Sequence, residues 1–274
     1  MTSTASLVLM DDITMLVLLL ALLSALSASA GAAEPPKPEA LLRQMKAWLE
    51  PAAPSTRKLV VTVRSAPGDA VVWKAGQARG KVGDTSFALT VLLDPPDVRG
   101  TALLIAEQEG KPSSQWLYLP YLRRVRRVLP VDEFESFLNT EFTDSDMGFV
   151  ALQNRKLSLL GSEALNGKDA YEIEEVPDDR RTFSRIVTWV SRSDGQPLKR
   201  EYYDPGNRLW KVESFEDVAT VHGRPTAQRV RMEDVQTGYG SEYRVKDLAY
   251  DLPVPPELFD WQQLPKAADH AIWK

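Results

Sequence analysis

Three short runs between Tyr171 and Lys246 switch between apolar and charged residues at every step. In "YEIEEV", Tyr171 and Ile173 alternate with Glu172 and Glu174; in "QRVRMED", Val230 and Met232 alternate with Arg229, Arg231 and Glu233. In "EYRVKD", Tyr243 and Val245 alternate with Glu242, Arg244 and Lys246. A period of two sends successive side chains to opposite faces, so each run has one apolar and one wet face, as in antiparallel strands solvated on one side. Asn166-Gly167, Asp194-Gly195 and Pro205-Gly206 lie between such runs as hairpin or turn signals. In the first half, "RKLVVTVRS", "AVVWKAG", "TSFALTVLL" and "TALLIAEQ" are rich in β-branched and apolar residues and are separated by "APGD", "GKVGD" and "DPPDVRG". No strand-helix alternation appears, so a parallel sheet is not expected. The pattern predicts one large, strongly curved antiparallel sheet.

Such a sheet must hide its apolar face. "PEALLRQMKAWLE" predicts a helix over Pro38 to Glu50, with Leu41, Leu42, Met45 and Leu49 in one stripe and Trp48 beside it. "VDEFESFLNTEFTDSDMGF" (Val131 to Phe149) predicts one or two short amphipathic helical turns between strands, apolar inward and acidic outward, able to plug the open side of a half-barrel.

The sequence of 274 residues carries a net charge of -5, two histidines and no cysteine. Mild acidity argues against a general nucleic-acid binder, whose surface is usually basic. Without cysteine there is no disulfide, thiol catalysis, thiolate metal site or lipid-modified cysteine anchor. His222 and His270 belong to no ligand-spaced cluster, so structural or surface roles are expected. "DSDMG" (Asp144 to Gly148) lacks the spacing of a calcium loop and reads better as a capped turn, with Thr143 as cap and Asp146 three residues on. Glu174 and Glu175 point to opposite faces of one strand and read as a solvated rim, not a glycosidase pair. No nucleophile elbow, dinucleotide fingerprint or phosphate loop occurs, so neither an enzyme nor a cofactor or metal is expected.

"QWLYLPYLRRVRRVLP" (Gln115 to Pro130) sets an apolar ribbon beside a cationic one. Trp116, Tyr118 and Tyr121 fit either core filling or the lining of a cavity, on a strand buried on both faces. Arg123, Arg124, Arg126 and Arg127 fit a solvated edge strand, or the mouth of a cavity where their forks meet an anionic headgroup or acidic partner.

"WLYLP", the arginine-rich strand and "FLNTEFTDSDM" together resemble the hallmark run of the bacterial outer-membrane lipoprotein-sorting family, relatives of the periplasmic carrier LolA. "WVSRSDGQPLKREYYD" (Trp189 to Asp204) is similar to that family's Asp-Gly-x-Pro-Leu-Lys hairpin, and "VPPELFD" stands near the usual end of such domains. Asn139-Thr140 replaces the Gly-Ser usual at the turn. The resemblance spans roughly Leu41 to Phe259. It implies a mainly β fold with few helices, a strongly curved antiparallel half-barrel lidded by short helices, around a hydrophobic cavity. The cargo implied is lipoprotein acyl chains or free lipid, carried towards the outer membrane by a monomer, with an inner-membrane transporter as a candidate partner and no nucleic acid. The residues expected in the cavity are Trp116, Tyr118, Phe134, Phe137, Phe142 and Met147, with Arg123, Arg124, Arg126 and Arg127 at its mouth. A non-transporting envelope sensor or accessory module of similar fold is the alternative.

The chain's first residues read as an address. An apolar run from Leu16 to about Leu26 is followed by small residues and A-x-A-like sites ending at Ala30 or Ala33. Asp11 and Asp12 precede it where positive charge is usual, so Met10 or Met15 are alternative starts and an uncleaved anchor is an alternative reading. The expected organisation is a signal peptide over 1–33 and a single lipoprotein-sorting-like β domain over 34–274, exported to the periplasm without a lipid anchor.

Overall fold

The computed structural model describes residues 34–274 other than 67, 130–135 and 144. The unit Lys37–Lys274 opens with helix α1 (Pro38–Leu49) and continues into thirteen strands. The first six are β1 (Ser55–Ala66), β2 (Asp69–Val82), β3 (Thr85–Asp94), β4 (Ala102–Glu107), β5 (Ser114–Leu119) and β6 (Arg124–Val128). After an insert come β7 (Arg155–Leu165), β8 (Lys168–Pro177), β9 (Arg185–Ser191) and β10 (Pro197–Tyr203). The last three are β11 (Leu209–Val221), β12 (Arg224–Asp234) and β13 (Gly240–Tyr250).

All thirteen form one antiparallel sheet in the order β6-β5-β4-β3-β2-β1-β13-β12-β11-β10-β9-β8-β7. The two arms are meanders, joined where β13 returns to pair with β1 (Leu59 opposite Val245, Val61 opposite Tyr243). The expected hairpin at Asn166-Gly167 joins β7 to β8, both residues at positive φ (54° and 77°), as a type I′ turn requires. His222-Gly223 makes a turn of the same kind between β11 and β12, which gives His222 its structural role.

The sheet curves back on itself. One apolar cluster gathers Leu103 of β4 and Leu117 of β5 with Ile186 of β9 and Tyr202 of β10, strands of opposite arms that can meet only across a concave face. Register shifts in the pairings β1–β13, β1–β2, β2–β3, β7–β8, β9–β10 and β10–β11 supply the irregularities that bend strands. The result is the expected half-barrel, open because β6 and β7 end the sheet instead of pairing.

That topology dictates the lid. The chain leaves β6 at one edge and must reach β7 at the other, so the insert between them crosses the open side. Two short 3-10 turns, Phe137–Asn139 and Ser145–Met147, stand there. The expected cap is formed: Thr143 N and Oγ1 both donate to Asp146 Oδ2 at 2.8 Å, and Asp146 N donates to Thr143 Oγ1 at 3.2 Å. Helix α1 lies in the other half of the concavity, with Leu41, Leu42 and Met45 against Ile173 and Val190.

The convex face has a cover that the sequence patterns do not announce. Residues 256–273 run in 3-10 turns over β2–β5, placing Leu258, Phe259, Leu264 and Trp273 on Ala78, Leu89, Leu104 and Tyr118. Two glycines admit it: a Cβ on Gly76 would lie 2.4 Å from the Trp273 ring, and one on Gly80 would lie 2.7 Å from that of Phe259.

Candidate functional site

Between α1, the insert and the concave face lies a cavity of about 110 Å³. Trp48 and Leu49 enter from the end of α1, Met147 and Phe149 from the insert, and Leu59, Phe183, Ile186, Phe215 and Val230 from the sheet. Polar residues share the wall: Arg57, Gln77, Arg79, Arg155, Arg200, Tyr202, Glu213 and Tyr243. The volume is below the roughly 300–1,000 Å³ of small-molecule pockets.

The insert is held down by separate contacts along its length. Lys211 Nζ donates to Glu141 O at 2.7 Å and pairs with Glu141 Oε2 at 2.9 Å, while Glu141 N donates to Ser241 Oγ at 2.9 Å. The Phe142 ring rests on Tyr243, with centroids 5.4 Å apart. Gln77 Nε2 reaches Met147 O at 3.4 Å, and Arg79 Nη2 donates to Gly148 O at 2.8 Å. Phe149 lies between two cations, Lys46 and Arg79, each 5.2 Å from its centroid. Val150 N donates to Glu50 Oε1, and Lys46 Nζ donates to Val150 O at 2.9 Å. Burial raises the Glu50 carboxyl above its usual range, against the pull of Arg79 and Lys46.

The opposite wall is charged. Arg200 sits across from Glu213 on β10 and β11, with Nη1 at 3.3 Å from Oε2, and Tyr202 OH donates to the same oxygen at 2.8 Å. Arg155 pairs with the fully buried Glu175, which Arg200 Nη2 approaches at 3.7 Å. This corrects the expectation of a solvated glutamate rim. Glu174 is half-buried and pairs with Arg185, but Glu175 points inward, where two arginines make its burial tolerable.

The residues expected around the cavity divide between the two faces. Met147 lines it, and Phe137 and Phe142 are buried in the same inner cluster, in the lid. Trp116 and Tyr118 stand on the convex face instead, among the residues beneath the C-terminal segment, because Leu117 between them takes the inner face. Phe134 lies outside the described residues. Arg124, Arg126 and Arg127 are exposed on β6, the sheet's edge strand, and Arg123 in the turn before it; none lines the cavity. Register places Arg124 and Arg126 opposite Leu119 and Leu117 on the concave side, and Arg127 opposite Trp116 on the convex one. Tyr121, 79 % exposed, and Leu122 share that hairpin end.

A family model described as uncharacterized-protein-like matches residues 84–266, about two thirds of the chain. A domain described as that of an outer membrane lipoprotein-sorting protein from Vibrio parahaemolyticus superposes with a TM-score of 0.76 at 26% identity, over 83% of this chain and 97% of that one. The chain belongs to the family of that model, and its fold is that of the LolA-like lipoprotein-sorting proteins. Two further structures share this LolA-like fold. A DUF1329 family protein from Desulfovibrio piger aligns at 24% identity and TM-score 0.75, over 82% of this chain and 97% of that one. A LolA superfamily protein from Nitrosomonas europaea aligns at 19% and 0.66, over 82% and 98%. No curated protein matches the LolA-like chain.

The sequence patterns had no means of marking the cavity's arginines. Arg57, Arg79, Arg155 and Arg200 sit in strands where charged residues occur on both parities, so alternation alone assigns them no face.

Proposed function

We propose that this is a binding protein of the bacterial envelope that shields the apolar part of a lipid or a lipoprotein in its half-barrel for transfer towards the outer membrane. The observation that carries the reading is topological: the β6-to-β7 connection crosses the open side of the sheet and closes over a cavity. The likeness to the lipoprotein-sorting domain supports the class of cargo. Met147 and Phe149 of the insert are the apolar side chains that leave the wall when the lid lifts, and Phe137 and Phe142 move with them.

The remaining assignments complete this reading. Residues 1–33 serve as an export signal, removed near Gly31 to Glu34, and the mature chain works in the periplasm as a monomer. The edge arginines of β6, with Tyr121 and Leu122 beside them, meet an acidic surface of an inner-membrane transporter.

Native mass spectrometry of the protein purified from its own envelope tests the proposal. A co-purifying lipid or acylated peptide is the expected result. The small closed cavity favours one competing reading, an accessory or sensing module whose pocket stays collapsed. A stable protein partner with no lipid would establish that reading and sink the carrier.

A further inference from the structure

The charges lining the cavity do not cancel. Arg155 and Arg200 answer Glu175 and Glu213. Lys46 is shared between Glu50 at 2.9 Å and Glu107 at 2.8 Å, so Glu50 also pulls on Arg79 from beyond contact distance, and Asp146 is engaged in the cap of Thr143. Arg57 and Arg79 are left over: among the described residues neither has a carboxylate oxygen within 4.0 Å. Arg57 gives Nε to Gln77 Oε1 at 2.7 Å and lies over the Tyr243 ring at 5.9 Å. Arg79 gives Nη2 to the lid carbonyl of Gly148, but its Nε and Nη1 are sealed from solvent with no hydrogen-bond partner among the described residues. Trp48 Nε1 and Arg200 Nε are in the same condition.

Of the six buried side-chain atoms without a partner among the described residues, these four are all donors on residues lining one cavity, while Gln115 Oε1 and Arg229 Nε lie elsewhere; no described acceptor of that lining is orphaned. Buried polar atoms are nearly always satisfied, and an unpaired buried charge is costly. The neighbouring charge makes the cost worse here. Burial lowers the Arg79 guanidinium from its ordinary value, and the charge of Arg57 lowers it further, against the pull of Glu50.

We propose that the cavity takes an amphiphile with an oxyanion head, a carboxylate or a phosphate, whose oxygens accept from Arg79 and Arg57 while its alkyl chain lies on the apolar wall. The inference rests on the carrier reading and narrows its cargo, because neutral acyl tails would leave these donors unmet. Planar guanidinium forks suit both heads, each of which offers two oxygens side by side.

Calorimetric titration of the delipidated protein with decanoate, decyl phosphate, 1-decanol and inorganic phosphate tests it. Decanoate or decyl phosphate should bind about tenfold more tightly than decanol or better. Arg79→Gln and Arg57→Gln should each shrink that preference, read as the ratio of the two affinities in the same variant, to about threefold or less. The tighter of the two anionic amphiphiles identifies the head. Inorganic phosphate binding as tightly as decyl phosphate would mean a free-anion site and overturn the amphiphile. Equal affinity for decanoate, decyl phosphate and decanol in the unmodified protein would overturn the anionic head while leaving the carrier reading intact. Failure of every alkyl probe to bind would sink both. Should Arg79→Gln fail to fold, Arg79→Lys keeps the charge but loses the fork: an unweakened preference there overturns the role of Arg79.

Discussion

Glu213 is a carboxylate buried beside an arginine, a tyrosine hydroxyl and an apolar wall, and its titration should be felt by the whole fold. Burial pushes it up to about 7, against the pull of Arg200. Between the ordinary carboxylate range and about pH 7, the native protein therefore holds a proton that the unfolded chain has released. Stability then falls as pH rises through that window, because the native state binds more protons than the unfolded one. The contribution is on the order of 1–3 kcal/mol between pH 5 and pH 8. Urea unfolding at the two pH values should show it, and Glu213→Gln should flatten the slope even though disturbing the hydrogen bonds to Tyr202 and Arg200 lowers stability at both. An unchanged slope in the variant would assign the pH dependence elsewhere. The residue scale is also where the sequence was least legible. In "LKREYYD", Lys199 and Glu201 alternate with Arg200 and Tyr202, and polarity alone does not say which pair faces inward. Only the partners across the strands, Glu213 and Glu175, decide it.

At the scale of elements, the strands with a clean period of two, α1 with its apolar stripe and the capped turn at Thr143 were all readable, because each is specified by neighbours in sequence. The C-terminal cover was not. Pro253, Pro255, Pro256 and Pro265 break any helical run, and Leu258, Phe259, Leu264 and Trp273 follow no regular period. Their specification lies in the receiving surface, above all in Gly76 and Gly80. Gly76→Ala should overpack the Trp273 indole and cost about 1–3 kcal/mol. The loss should appear as a lower Tm together with faster proteolysis after residue 254. Gly161→Ala is the control: nothing lies within 4 Å of the added methyl, so little change is expected. Equal effects from both substitutions would remove the case for a close fit.

The insert raises a different question at the same scale. It packs Phe137, Phe142 and Met147 on the sheet, but its backbone is held by single hydrogen bonds, while the strands carry continuous ladders. It should therefore belong to the weakly protected part of the fold. Amide exchange over 137–149 should be faster than over β8 or β12. Lys211→Met should speed it further, because both contacts of Lys211 Nζ with Glu141 are lost. Protection of the insert equal to that of β12, in either protein, would count against a lid.

On the scale of the whole molecule, an open sheet has its two edges bridged by one segment of chain. If the cavity of about 110 Å³ is the closed state, cargo can enter only when that bridge lifts. Locking the bridge should then abolish loading without touching the wall. The chain offers a clean way to do so, since it contains no cysteine and an introduced pair would be its only thiols. Glu141 and Ser241 suit the purpose: the 2.9 Å bond from Glu141 N to Ser241 Oγ holds their backbones close, and neither residue lines the cavity. A disulfide needs α-carbons roughly 4.4–6.8 Å apart, a span that such a contact accommodates. In the double variant Glu141→Cys/Ser241→Cys, the reduced form should bind a fluorescent acyl probe much as the unmodified protein does. The oxidised form should lose at least about tenfold in association rate and recover it on adding reductant, because opening has become a local unfolding event. Thermal unfolding of the oxidised form should be unchanged or raised, which separates a closed gate from a damaged fold. Equal loading of the oxidised and reduced forms would show that cargo enters by another route, and the insert would then be a structural strap across the half-barrel.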